Sequence, residues 1–248
     1  MSLVQLRGTG APGQSLRRFF WTHPEWWTLV LVALAWGTIV APAGGTQEHM
    51  RHTMPAPDPM PFQEEWLHWG LMVGAMMVPL MLEPLRWVAF QSYRHRRHRA
   101  ILLFLIGFLL PWMVIGIGVA ALRTLDWSRN PLLAVGTFGL AALWVLVPVR
   151  MRALVFCHLR LPLAPAGWKA DRDCLRFSVL VGASCAGVCG LLMLARALTG
   201  HNLIAMLGGT VLGALEYRAF RPPTRPIVAG TLLLAAWFLL PISSALPP

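Results

Sequence analysis

Ala100-Ile-Leu-Leu-Phe-Leu-Ile-Gly-Phe-Leu-Leu-Pro-Trp-Met-Val-Ile-Gly-Ile-Gly-Val-Ala-Ala-Leu122 contains no charged residue. The hydrocarbon core of a bilayer takes about 20 mainly apolar residues per helix, whereas a helix at the surface of a soluble domain keeps a polar face. This stretch has none and reads as a membrane span. Outward from it, comparable runs cover residues 26–42, 66–90, 131–149, 174–198, 203–217 and 226–241, separated by short segments rich in Arg, Pro or Gly. Composition agrees: 56% of residues are apolar and 12% charged, where a soluble domain has about a quarter charged. Mean hydropathy is +0.59.

Charge placement tests the count independently, because Lys and Arg collect in short cytoplasmic loops. Alternate loops on one side carry Arg7, Arg17 and Arg18; Arg86, Arg94, Arg96, Arg97 and Arg99; Arg150, Arg152, Arg160, Lys169, Arg172 and Arg176; and Arg218, Arg221 and Arg225. Arg51, Arg123 and Arg129, with Arg196 near a helix end, fall to the other side, where Glu48, Asp58, Glu64, Glu65 and Asp126 gather. The expected fold is therefore all-α: a polytopic helical membrane bundle of about seven transmembrane helices, forming a single integral membrane domain over residues 1–248 with its N-terminus cytoplasmic. Arg17-Arg18, the apolar run and Ala41-Pro42-Ala43 have the outline of a secretory signal. The run exceeds a usual signal core, and it is kept as the first span.

The same split accounts for a net charge of +11 and a pI near 11.3, which in a soluble protein would suggest nucleic acid. No nucleic-acid partner is expected; the partner is the lipid bilayer. Tyr93-Arg94-His95-Arg96-Arg97-His98-Arg99 reads as a cytoplasmic anchor. Trp66 and Trp69, Trp87, and Trp26-Trp27 fit interfacial belts at span ends. Gly182, Ala186 and Gly190, like Gly209 and Gly213, place small residues every fourth position, a spacing that lets membrane helices approach closely. Glu83 and Glu216 fall near inner helix ends, where Arg86 or Arg218 could pair with them.

Soft ligands carry the chemical signal. The external loop 43–65 contains Glu48-His49-Met50-Arg51-His52-Thr53-Met54; imidazole and thioether together suit copper, the thioether favouring Cu(I). In the second span His68, Met72 and Met76 recur at i, i+4, i+8 and share a helix stripe, with Met77 and Met81 a second pair. In the fifth span Cys185, Cys189 and Met193 repeat the same spacing, and His201 follows at the outer end. At 1.5 Å per residue, Met193, Cys189 and Cys185 lie about 8, 14 and 20 Å below the outer boundary. The two stripes could face each other as a sulfur ladder for Cu(I), although methionine in an apolar helix is usually core filler and small cysteines also suit a glycine-rich helix interface. Zinc is less natural, since closed tetrahedral N/S sites are not patterned here. Cys157 and Cys174 lie on the cytoplasmic side, where disulfides are not expected.

Trp69-Gly70-Leu71-Met72-Val73-Gly74-Ala75-Met76-Met77-Val78-Pro79 resembles the Trp-x-x-Met-x-x-Ala-Met-Met-x-Pro hallmark of a bacterial family described as predicted metal-binding integral membrane proteins of unknown function. Gly182, Cys185, Gly187, Cys189 and Met193 are similar to that family's Gly-x-x-Cys-x-Gly-Cys-Cys helix, and Glu216 to the Glu closing its next span. Val188 stands where the first paired Cys would be, Gly200-His201-Asn202 replaces Gly-x-Met-Asn, Tyr217 replaces a Lys, and Leu159-Arg160-Leu161-Pro162 replaces Cys-Arg-x-Pro. The resemblance implies a multi-pass protein of the bacterial inner membrane that binds metal.

Two function classes stay open. One is binding or transport of a soft metal, Cu(I) foremost, captured by His49, Met50, His52 and Met54 and passed along His68, Met72, Met76, Met193, Cys189 and Cys185, with His201 beside the path. The other is a non-catalytic accessory subunit of a larger membrane metalloenzyme complex, in which the stripes are packing surfaces. A haem or quinone enzyme is weaker, because His68 and His201 both sit at the outer edge. No catalytic triad, paired catalytic carboxylates or nucleotide motif is recognisable, which leaves an enzymatic role unsupported.

Overall fold

The computed structural model describes residues 22–40, 61–124, 131–198, 203–219 and 227–233. These residues are mostly helical, with no strand among them. The elements are α1 (Trp26–Val40), α2 (Phe62–Met77), α3 (Leu82–Gln91), α4 (Arg97–Thr124), α5 (Pro131–Leu146), α6 (Pro148–Cys157), α7 (Gly167–Leu198) and α8 (Leu203–Ala219), and residues 227–233 form a further helical segment. A 3₁₀ turn, Val78–Met81, joins α2 to α3 where Pro79 enters the chain. Proline lacks the N–H that would continue the α ladder, and the tighter turn accommodates it.

Three stretches are long and apolar enough to cross a membrane: Phe62–Gln91, Arg94–Arg123 and Gly167–Ala195. Val135–Leu146 and Pro148–Cys157 make a fourth if they count as one span, although they bend by 77° at Val147. The bend is local chemistry, because Pro148 disfavours α geometry at the residue before it, and Val147 is extended at φ −70°, ψ 129°. Helix α1, with 15 residues, and α8, with 17, are shorter apolar helices.

α7 and α4 form the central pair. Their backbones approach so closely that a Cβ on Gly182 would lie 2.4 Å from the Phe108 carbonyl oxygen, and one on Gly107 would lie 2.0 Å from Ser178 Oγ. Gly182 thus has the packing role its spacing implied, whereas a Cβ on Gly190 would meet nothing within 4 Å. Phe104 fills the crossing, its ring centroid 5.9 Å from that of Phe177. Phe138, Ala141, Ala142 and Val145 of α5, Ala195 of α7 and residues 228, 229 and 232 make a second, smaller core.

Indole N–H groups tie neighbouring helices together. Trp69 Nε1 donates to the Trp112 carbonyl at 2.8 Å, Trp66 to Met113 at 3.0 Å, and Trp36 to Ala75 at 3.1 Å. Trp69 therefore departs from the expected interfacial belt: it is buried, and Gly116 makes room for its ring, since a Cβ there would sit 2.3 Å from Trp69 Cδ1. Once the indole is out of water, its single donor needs a partner, and a helix carbonyl with a second lone pair supplies one.

Ion pairs close one end of the bundle. Arg96 and Arg99 both reach Asp171, at 2.5 and 2.6 Å. The Tyr93 amide donates to Pro165 O at 3.4 Å, and Gly167, at φ +79°, makes the turn into α7 that a side chain would strain. Buried Glu25, at the start of α1, pairs with Arg86. Glu83 pairs with Arg160, not with Arg86 as its nearness in sequence suggested. The loops around residues 92–96 and 158–166 thus lie together, at the end where α1 begins.

Candidate functional site

The site is assembled where α7 meets the junction of α2 and α3. Cys185 Sγ lies 4.0 Å from Met77 Sδ, both buried. Cys189, one turn further along α7, falls on the same face and lines the same cavity as Cys185. Three sulfurs from two elements therefore share one neighbourhood. Beside them a cavity of about 20 Å³ is lined by Cys185, Cys189, Cys157, Met81, Leu80, Leu154, Val188, Gly213 and Tyr217. That is room for about one water or one desolvated ion.

The bend at Val147 brings α6 against α7 and with it two residues that the sequence pattern assigned to a solvated cytoplasmic loop. Cys157 is buried, at 3% exposure, in the wall of the sulfur cavity. Arg150 is buried too, at 4% exposure, and its Nε donates to Val188 O at 3.0 Å. Arg150 also lines a neighbouring cavity together with Cys189. A basic residue just after an apolar run looks like a topology signal in a sequence; only the bent helix pair turns its guanidinium into the bundle. Trp144 anchors the same contact, donating to Gly187 O at 2.8 Å.

The other candidate ligands are distributed along the core. Met72, Met76 and Met193 are all fully buried in the main cluster, but the sulfur that reaches Cys185 is that of Met77, from the second methionine pair. α2 and α7 do not face each other along their length; α4 is the principal neighbour of each. His68 is half-buried at the far end of the bundle, near the Glu65 and Arg123 ion pair, whose nitrogen and oxygen are 3.3 Å apart. His49, Met50, His52, Met54 and His201 lie outside the described residues.

Chemically, the cluster offers thiols and thioethers, with no carboxylate in the cavity lining and Tyr217 the one lining residue with a side-chain oxygen. Among the described residues no three His, Cys, Asp or Glu side chains converge to hold a metal, so the four-ligand tetrahedron that structural zinc requires is not formed there. Two thiolates with a thioether fit instead the soft donor preference of Cu(I), and Met81 and Cys157 bring further sulfur to the cavity. A dithiolate complex of Cu(I) has a net charge of −1, and a buried guanidinium nearby offsets part of its desolvation cost. Cys174 stands apart, its thiol donating to Ala100 O at 3.3 Å. All four cysteines are free thiols.

Comparison with known proteins bears on the same chemistry. No curated protein and no solved structure matches the chain. The family model PpoB2, described as a copper chaperone, matches residues 66–240, a range that holds Met77, Cys157, Cys185 and Cys189 and most of the chain. The chain accordingly belongs to the PpoB2 copper chaperone family.

Proposed function

We propose that the protein is a multi-pass helical bundle of the bacterial inner membrane, with about seven spans and a cytoplasmic N-terminus, that binds Cu(I) through buried sulfur and passes it on. The observation that carries this reading is the approach of Cys185 Sγ to Met77 Sδ at 4.0 Å, with Cys189 one turn away. Membership of a copper chaperone family supports copper as the cargo. Outward-facing apolar residues such as Leu34, Val114, Leu143 and Ile227, each at least 60% exposed, support the membrane reading, because lipid tails cover such surface where water would not.

In this scheme His49, Met50, His52 and Met54 capture the ion outside. His68, Met72, Met76 and Met193 are weak, exchangeable ligands on the way in, with His201 beside their outer end, and Cys185, Cys189 and Met77 form the holding site. Thioethers bind Cu(I) without a proton to lose, while thiols bind more tightly after deprotonation. Affinity therefore increases inward.

The test is metal content by mass spectrometry of the purified protein after anaerobic loading with Cu(I). The wild type should retain close to stoichiometric copper. The Cys185→Ser, Cys189→Ser double variant should retain at least about 100-fold less at limiting metal, two primary ligands being worth more than the 10- to 100-fold of outer-shell partners. Equal copper in both would refute the site. No copper in either would leave the sulfurs as packing groups and turn attention to partner subunits of a membrane complex.

A further inference from the structure

Two cavities meet at one cysteine. The sulfur cavity described above has Cys157 in its wall beside Cys185 and Cys189. A second cavity, also about 20 Å³, is lined by Cys157, His158, Glu83, Arg160, Trp87 and Tyr217 among others. Its rim residues Glu83 and Arg160 are 59% and 50% exposed. Cys157 and Tyr217 are common to both linings. Cys157 is the last residue of α6, and the chain leaves helical geometry just beyond it. His158 is held at this boundary, its two ring nitrogens 2.9 and 3.0 Å from the carbonyl oxygens of Leu154 and Tyr217, and its ring stacks on Tyr217 with centroids 4.2 Å apart.

We infer that Cys157 is the port of the copper site, the thiol through which Cu(I) moves between the Cys185 and Cys189 pair and the end of the bundle where residues 158–166 lie. This rests on the copper reading above. A soft ion leaving two thiolates crosses an apolar wall most readily by exchange onto a third sulfur, because every intermediate then keeps at least two soft ligands. The step balances without a redox partner: a bond from Cu(I) to Cys157 Sγ forms as one from Cys185 or Cys189 breaks, Cys157 gives up its proton, and the sulfur released takes one up. Copper stays Cu(I) throughout. The route runs equally in either direction.

The experiment loads the full-length protein in detergent with one equivalent of Cu(I) and follows its withdrawal by excess bathocuproine disulfonate, a water-soluble Cu(I) chelator, in stopped flow. Cys157→Ser should still load one copper but release it slower by about tenfold or more, comparable with the loss of a ligand-supporting group. Cys157→Met, which restores a soft donor, should recover most of the rate, and Cys174→Ser should release like the wild type. Release from Cys157→Ser at the wild-type rate would overturn the inference while leaving the holding site intact. Failure of Cys157→Ser to load, with Cys157→Met loading normally, would make Cys157 a holding ligand and overturn the port equally. Failure of the wild type itself to load would instead be the failure of the copper reading.

Discussion

Met77 Sδ and Cys185 Sγ, separated by 108 residues in the chain, lie 4.0 Å apart in the buried core. Met77 closes α2 immediately before the 3₁₀ turn at Pro79, and Cys185 sits within α7. The contact therefore depends on where the break in the second span falls, since the turn sets which methionine lies at the level of the cysteines.

Met77 is accordingly distinguishable from its neighbours by substitution. Met77→Leu should lower Cu(I) affinity by about tenfold, or about 1.4 kcal/mol, measured by competition with bicinchoninate. Met76→Leu, at a position equally buried, should bind like the wild type. Both swaps conserve volume, so each should cost less than about 1.5 kcal/mol in stability, and thermal unfolding in detergent separates that from ligation. A larger loss of affinity in Met76→Leu than in Met77→Leu would move the thioether ligand one residue back along α2.

Arg150 tests the electrostatics of the site. If its buried guanidinium balances the negative charge of a copper dithiolate, Arg150→Met should weaken Cu(I) binding by about 10- to 100-fold, the range of outer-shell partners. Arg150→Lys should retain most of the affinity by keeping the charge. The same bicinchoninate competition reads both. Equal weakening in the two variants would assign Arg150 to the Val188 carbonyl hydrogen bond and not to charge balance.

The crossing of α4 and α7 makes a prediction about stability alone. Gly182→Ala places a methyl 2.4 Å from the Phe108 carbonyl oxygen. The backbone must shift to admit it, at a cost of about 1–3 kcal/mol. Gly190→Ala meets nothing within 4 Å and should be neutral or stabilising by up to about 1 kcal/mol through helix propensity. Unfolding midpoints followed by circular dichroism should separate the two; matching midpoints would mean that the bundle relaxes at this crossing.

Residue order alone was enough for whatever depends on near neighbours in the chain. Hydropathy over a window the length of a span and an i to i−4 hydrogen-bond ladder are local properties. The helical character of residues 66–90, 100–122 and 174–198 was therefore legible, as were the packing glycine at 182 and the shared helix face of Cys185 and Cys189. Two residues took roles that local patterning assigned elsewhere. Trp69 looked interfacial until Gly116 and the Trp112 carbonyl gave its indole a buried partner. Arg150 looked like a loop anchor. Which sulfurs meet was set by packing, because a 3₁₀ turn at Pro79 and a 77° bend before Pro148 change where helices point without changing their composition. Periodicity reports the faces of each helix separately, whereas a metal site is made from the faces that packing brings together.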